Sequence, residues 1–238
     1  SVLRQLIGAA NQIADAAFTP EGRDTDSLLE LAEQSVFQIG EKRLRESGPE
    51  KIANVLKETV KKVEFLFSSK GAITGVASGF KDLDQKTSGW QRSDLVVVAA
   101  RPSMGKTAFA VNMVEHAVMS GGAVLVFSME MPADQIVMRM ISSLGRIDQT
   151  RLRTGELKDE DWTRFTGAVS QLRDKRLYID DTAALTPGEV RSRCRRVARE
   201  AGDLDMVVVD YLQLMRTPNN SENRATEISE ISRSLKAL

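Results

Sequence analysis

The chain has 238 residues, 42% hydrophobic and 28% charged, enough for one sizeable core plus an appendage and too apolar for a disordered chain. Lys+Arg and Asp+Glu balance at 33 each, so no global basic excess advertises nucleic-acid binding, and such a contact must be local or made by repeating one patch in an oligomer. The lone Cys194 excludes an intrachain disulfide, no apolar run reaches membrane-spanning length, and the start, Ser1-Val2-Leu3-Arg4, lacks signal-peptide layout, so a reduced, cytoplasmic protein with no membrane partner is expected.

Three helical patterns come first. Apolar positions recur at helical spacing in Leu3, Leu6, Ile7, Ala10, Ile13, Ala14 and Ala17, then in Leu28, Leu31, Ala32, Val36 and Ile39, then in Ile52, Val55, Leu56, Val60, Val63, Leu66 and Phe67. Breaks fall at residues 19–24 and 47–50, and Ser27 with Glu30 can form a capping box for the second helix. Around residues 68–71 the character changes, which predicts a domain boundary near residue 70. Strands predicted at 95–99, 124–128, 177–180 and 206–210 then alternate with helices predicted at 106–119, 133–144, 159–173 and 187–200. That alternation argues for an α/β fold with a mostly parallel sheet covered on both faces.

The run Ala100-Arg101-Pro102-Ser103-Met104-Gly105-Lys106-Thr107 follows the first predicted strand and opens a helix, the layout of a nucleotide-phosphate cradle. Its candidate ATP-binding residues are Ser103, Gly105, Lys106, Thr107 and Ala108. Backbone N–H groups wrap the phosphates, Lys106 reaches the β/γ-phosphates, and the Thr107 hydroxyl can ligate Mg²⁺. Ala100 replaces the usual first glycine, so that residue must leave the strand with a φ that alanine can take. Asp210, closing an apolar strand, is the candidate second Mg²⁺ anchor, the alternative being an aspartate that caps a turn. Glu130, after the strand at 124–128 and before Pro132, stands where a general base would activate water, unless it only compensates a helix dipole.

Other features leave alternatives open. His116 reads as a partly exposed helical histidine rather than a ligand, and Asp180-Asp181 as turn chemistry leading to the helix start Thr186-Pro187-Gly188-Glu189. The arginines at 191, 193, 195, 196 and 199 form either a solvated basic face or an interface or polyanion contact. The polar stretch 217–224 is either a surface loop or a nucleic-acid contact in which Arg216 and Arg224 meet phosphates.

Together, residues 100–107, Phe127-Ser128-Met129-Glu130-Met131-Pro132, Asp210-Tyr211-Leu212-Gln213-Leu214 and Glu227-Ile228-Ser229-Glu230-Ile231-Ser232-Arg233-Ser234-Leu235-Lys236-Ala237-Leu238 resemble the bacterial replicative DNA helicases of the DnaB family, over essentially the whole chain. The resemblance implies an incomplete RecA-like P-loop ATPase core at 71–238, preceded by an all-α segment. Residues 1–20 would end an amino-terminal domain that binds primase, and 21–70 would be a linker whose helix, Asp26 to about Arg43, docks on a neighbouring subunit. It implies a homohexameric ring using ATP and Mg²⁺ to move 5′ to 3′ along single-stranded DNA and open the duplex, with primase and a helicase loader as partners. Residue by residue, it makes Lys106 and Glu130 catalytic, Thr107 and Asp210 the metal contacts, and Arg139 an additional nucleotide contact. In the family, strands beyond the helix that ends here bring a glutamine sensor, an arginine finger and a further DNA loop, so the chain is expected to be a fragment. A recombinase or clock-type ATPase would share the cradle and Asp210 but not the helical lead-in or Leu212-Gln213-Leu214. A nucleotide-binding or docking module without unwinding activity is the remaining alternative.

Overall fold

Four apolar residues and a serine, Val124–Ser128, form β1, and the burial of all five marks a strand covered on both faces. In this computed structural model, which describes residues 2–19, 25, 27–29, 31–36, 51–68, 73–217 and 223–238, β1 lies between β2 (Leu177–Asp180) and β3 (Met206–Asp210), and both pairings are parallel. Phe127 stands opposite Asp180 and Ser128 opposite Asp210, so the carboxyl ends of the three strands share one edge. All three strands fall where their apolar runs predicted them.

The helices are α1 (Val2–Phe18), α2 (Ile52–Ser68), α3 (Lys81–Thr87), α4 (Lys106–Met119), α5 (Ala133–Gly145), α6 (Gln149–Thr154), α7 (Asp159–Arg173), α8 (Pro187–Ala201) and α9 (Arg224–Lys236), with a 3₁₀ turn at Leu212–Leu214. The chain divides into two units, Ser1–Lys70 and Gly71–Leu238. In the first, residues 27–29 and 31–36 are helical, while Glu30 of the expected capping box and residues 37–43 of the expected docking helix lie outside the described residues. Among the described residues no helix is long and apolar enough to cross a membrane.

In the second unit the strand pleat sorts side chains into two cores. Val124, Val126, Met206 and Val208 pack with Val111, Val114, Ala117 and Val118 of α4 and Ile136 and Met140 of α5. Leu125, Phe127, Val207 and Val209 pack with Val190, Cys194 and Val197 of α8 and Ile231 of α9. Helices therefore cover both faces of a parallel sheet, as the sequence predicts. The α8 start forms as expected: Glu189 N donates to Thr186 Oγ1 at 3.3 Å and Thr186 N to Glu189 Oε2 at 2.7 Å.

One predicted strand is not a strand. Residues 95–99 carry no regular structure, and Val97 is 74% exposed. An apolar run gains from joining a sheet when its faces are covered, and within residues 73–217 and 223–238 no element covers this one. Its ends are nevertheless pinned beside β3. Arg92 pairs with Asp203 at 2.6 Å and Lys236 Nζ donates to Ser93 O at 2.6 Å below the run, while contacts to Asp210 fix the residues above it.

The α8 arginines divide by position. Arg193 binds Asp180 at 2.5 Å and Thr182 Oγ1 at 2.8 Å, and Arg191 Nη2 donates to Ser234 O of α9 at 3.3 Å, whereas Arg195, Arg196 and Arg199 are exposed. Cys194 lies on the opposite, apolar side, where burial pushes its thiol up to about 11. At pH 8 the native thiol should therefore resist a disulfide-exchange reagent and react only as the chain unfolds. Rapid labelling without denaturant, followed by absorbance, would show that α8 does not bury it.

Candidate nucleotide-binding site

The pleat that turns Met206 and Val208 toward α4 turns Asp210 the same way. Its carboxylate, in a residue 8% exposed, accepts a hydrogen bond from Thr107 Oγ1 at 2.9 Å and pairs with Lys106 Nζ at 3.3 Å. Lys106 and Thr107 are the first two residues of α4, and Lys106 Nζ also lies 4.2 Å from the centroid of the Tyr211 ring. Tyr211 was not among the expected site residues. Its only sequence signal is its place directly after the strand-end acid.

The cradle backbone is built for close approach. Ser103 and Gly105 take left-handed φ values of 65° and 87°, whereas Ala100 is not among the positive-φ residues, which is how an alanine fits the position usually held by glycine. A Cβ on Gly105 would meet no atom within 4 Å, so glycine is needed there for its φ alone. Ser103 and Ala108 are exposed, and among the described residues no side chain caps the amino end of α4, so its first amides keep their donors for another partner. The hydroxyl and carboxylate donors at Thr107 and Asp210 are the hard oxygen ligands that suit Mg²⁺. Among the described residues no three His, Cys, Asp or Glu side chains gather as a metal site, so a cation here needs ligand oxygens besides the protein's.

Glu130 is exposed at the same edge. Met129 N donates to Asp210 O at 2.9 Å, and Ser128 Oγ donates to Met131 O at 2.6 Å, which ties the Glu130 turn to the end of β3. The helix-dipole alternative loses ground. Asp181 Oδ2 accepts from Ala133 N at 3.0 Å and Asp134 is the acid in the first turn of α5, while Glu130 lies upstream of the N-cap, Pro132. Arg139, on α5, is half-buried and its Nε is buried without a hydrogen-bond partner. His116 is an exposed helical residue against which Gly79 packs: with φ +85° at Gly79, an added Cβ would come within 2.8 Å of His116 Cγ.

A cavity of about 290 Å³ opens at this edge among Met129, Ala183, Ala184, Gln213, Leu214, Met215, Arg216 and Arg224. Its Met129 and Met215 belong to the core on the α8 and α9 side, whereas Asp210 turns to α4, so the sheet separates the two. Arg216 is exposed. Arg224 is bound to its own chain, to Glu227 and to Gln213 O.

Residues 75–238 match the model of the DnaB-like helicase C-terminal domain. The chain belongs to the DnaB-like helicase family. It is 54% identical over 233 residues to the replicative DNA helicase DnaB of Buchnera aphidicola from Acyrthosiphon pisum, matching 96% of this chain and 51% of that protein. It is 54% identical over 244 residues to DnaB of Haemophilus influenzae, matching 100% of this chain and 52% of that protein. The chain thus spans about half the length of these DnaB relatives. Among solved structures, the ATPase domain of G40P superposes with a TM-score of 0.74 at 32% identity, over 79% of this chain and 66% of that one. A DnaB-like replicative helicase, described with its interactions with primase, superposes with a TM-score of 0.77 at 29% identity, over 99% of this chain and 53% of that one. The RecA-like α/β fold is shared with these DnaB-like ATPase domains.

Of the neighbouring carboxylates, Asp180 makes the expected turn contact, accepting from Thr182 N at 3.1 Å, whereas Asp181 binds the start of α5 instead. Burial would raise the Asp180 carboxyl, but hydrogen bonds from Thr182 and Arg193 outweigh it and hold the group below its ordinary value. A depressed folded pKa contributes stability that is present above the unfolded value, near about pH 4, and lost as pH falls through the folded value. Arg193→Ala should lower stability at pH 7 by about 1.5–3 kcal/mol, the range for hydrogen bonds to charged groups, and flatten the loss between pH 5 and 3. Urea midpoints across that window would reveal the opposite if the parent and variant curves stayed parallel.

Proposed function

We propose that this chain is the linker and part of the motor domain of a replicative DNA helicase, a ring of six copies that couples ATP hydrolysis to 5′ to 3′ movement on single-stranded DNA in the cytoplasm. The observation that carries it is the meeting of Lys106 and Thr107 on Asp210, beside the Glu130 turn, in a chain so similar to DnaB proteins. On this reading the open amides from Ser103 to Ala108 receive the triphosphate at the positive end of α4. Lys106 leaves Asp210 for the β/γ-phosphates, and Arg139 offers its unpartnered Nε to the nucleotide.

Thr107 and, through water, Asp210 would hold Mg²⁺, which supplies charge neutralisation at the phosphates. Glu130 accepts a proton from the attacking water as general base. Arg216 and Arg224 are the candidate contacts to single-stranded DNA, and of the two Arg216 is exposed while the Arg224 side chain is bound to Glu227 and Gln213 O.

Residues 1–20 would close the amino-terminal domain that meets primase, and residues 21–70 the linker that docks on the next subunit. The docking helix of that linker is the one from Asp26 to about Arg43; α2, further along, also carries an exposed apolar stripe, Val55, Leu56, Val63 and Leu66. A helicase loader is the further partner.

Glu130→Gln should keep Mg²⁺-nucleotide binding while slowing phosphate release by about 10²–10⁴-fold, the usual worth of a general base. Lys106→Ala should abolish turnover while the fold survives, with a lowered melting temperature because the Asp210 carboxylate loses its ion-pair partner. Phosphate release with single-stranded DNA present, paired with fluorescent-nucleotide titration, reads both. Near-parental turnover in either variant removes that residue from the chemistry, and a parent that stays monomeric and indifferent to Mg²⁺-ATP analogue on gel filtration favours a docking module.

A further inference from the structure

Arg216 and Arg224 line one cavity but are held in different ways. Arg216 lies between two buried residues, Met215 at 1% and Thr217 at 7% exposure, and its own N donates to Leu185 O at 3.1 Å. Its backbone is fixed while its side chain is exposed. Arg224 Nη2 donates to Gln213 O and, at 3.5 Å, to Met215 O, and Nη1 pairs with Glu227. Glu227 Oε1 in turn accepts from Thr217 N at 3.4 Å and Thr217 Oγ1 at 3.2 Å. One carboxylate therefore joins the residue after Arg216 to the arginine that grips the residue before it.

We propose that Glu227 is a positioning residue: with Arg224 and Thr217 it clamps the backbone on both sides of Arg216, so that the Arg216 guanidinium is presented to a phosphate of single-stranded DNA. The inference rests on the helicase reading and adds to it a division of labour between the two arginines. Glu227 neutralises Arg224, whose Nη1 and Nη2 are engaged by Glu227 and two carbonyls, and the exposed Arg216 is left to make a charge-assisted contact. A clamp formed before binding spares the complex the entropy of ordering this segment at the moment of contact. The hydrogen bond from Arg224 also holds the Glu227 carboxyl below its ordinary range, so the clamp is charged at neutral pH.

The test uses the full chain with a fluorescein-labelled oligo-dT, Mg²⁺ and a non-hydrolysable ATP analogue, with binding read by anisotropy at several salt concentrations. Arg216→Ala and Glu227→Gln should each weaken binding by about fivefold and each lower the salt slope by about 0.7, the share of one phosphate contact on a single strand. The double variant should bind no more weakly than Arg216→Ala alone, because the clamp acts through that side chain. A merely structural role would leave the salt slope intact and add its loss to that of Arg216→Ala. Parental affinity and slope in Glu227→Gln, or additive losses, would overturn the proposal. If thermal melting shows Glu227→Gln to be poorly folded, Thr217→Val, which removes one arm of the clamp, takes its place with the same expectations. A parent chain that does not bind oligo-dT removes the helicase reading and this inference together, whereas a binding parent with indifferent clamp variants removes the inference alone.

Discussion

The Asp210 carboxylate is the interaction on which the site depends. It gathers a lysine and a threonine more than 100 residues away in sequence, with the Thr107 hydroxyl at 2.9 Å across a separation of 103 positions. A carboxylate this little exposed costs free energy unless it is paired and hydrogen-bonded, and Lys106 and Thr107 supply both. The pair is also a stored state. On the proposed reading, phosphate draws Lys106 away just as a cation arrives to compensate Asp210, so neither group is left buried and uncompensated. Tyr211 steadies the lysine meanwhile with its ring face.

The same strand end serves both sides of the sheet. Asp210 turns to α4, while Gln213, in the turn that follows, passes its carbonyl to Arg224 at the start of α9. A cradle for phosphate and a held arginine segment thus hang from one short stretch of backbone on opposite faces. Open α/β sheets place ligands at their carboxyl edge because loops can diverge there without breaking the ladder. Here Met129 N on Asp210 O extends the β1 and β3 pairing one step past the strands, which sets the Glu130 turn against that edge.

Much of this was legible in the sequence, for physical reasons. Val124–Ser128 and Met206–Asp210 are apolar runs too short for helices, and α8 announces itself with a Thr cap, a Pro in its first turn and a Glu that reaches back. Short helices such as α3 and α6 were missed because seven and six residues give no periodicity to read. Arg224 shows a different limit. Composition and loop context marked it as cationic and polar, but only tertiary structure shows that Gln213 O and Glu227 already engage its Nη2 and Nη1. Tyr211 is the converse, a residue whose value comes entirely from what the fold places above its ring.

The failed strand at residues 95–99 shows what positions the cradle. A β-ladder would place residues 100–107 by repetition, yet none forms, and the cradle still meets Asp210. The reason is that the run is fixed at its two ends. Arg92 on Asp203 and Lys236 on Ser93 O set its start at the amino end of β3, and Lys106 and Thr107 on Asp210 set its finish at the carboxyl end. Ladder formation would add rigidity and cover Val97, but the contacts of Lys106 and Thr107 with Asp210 bring the cradle to the end of β3 without it.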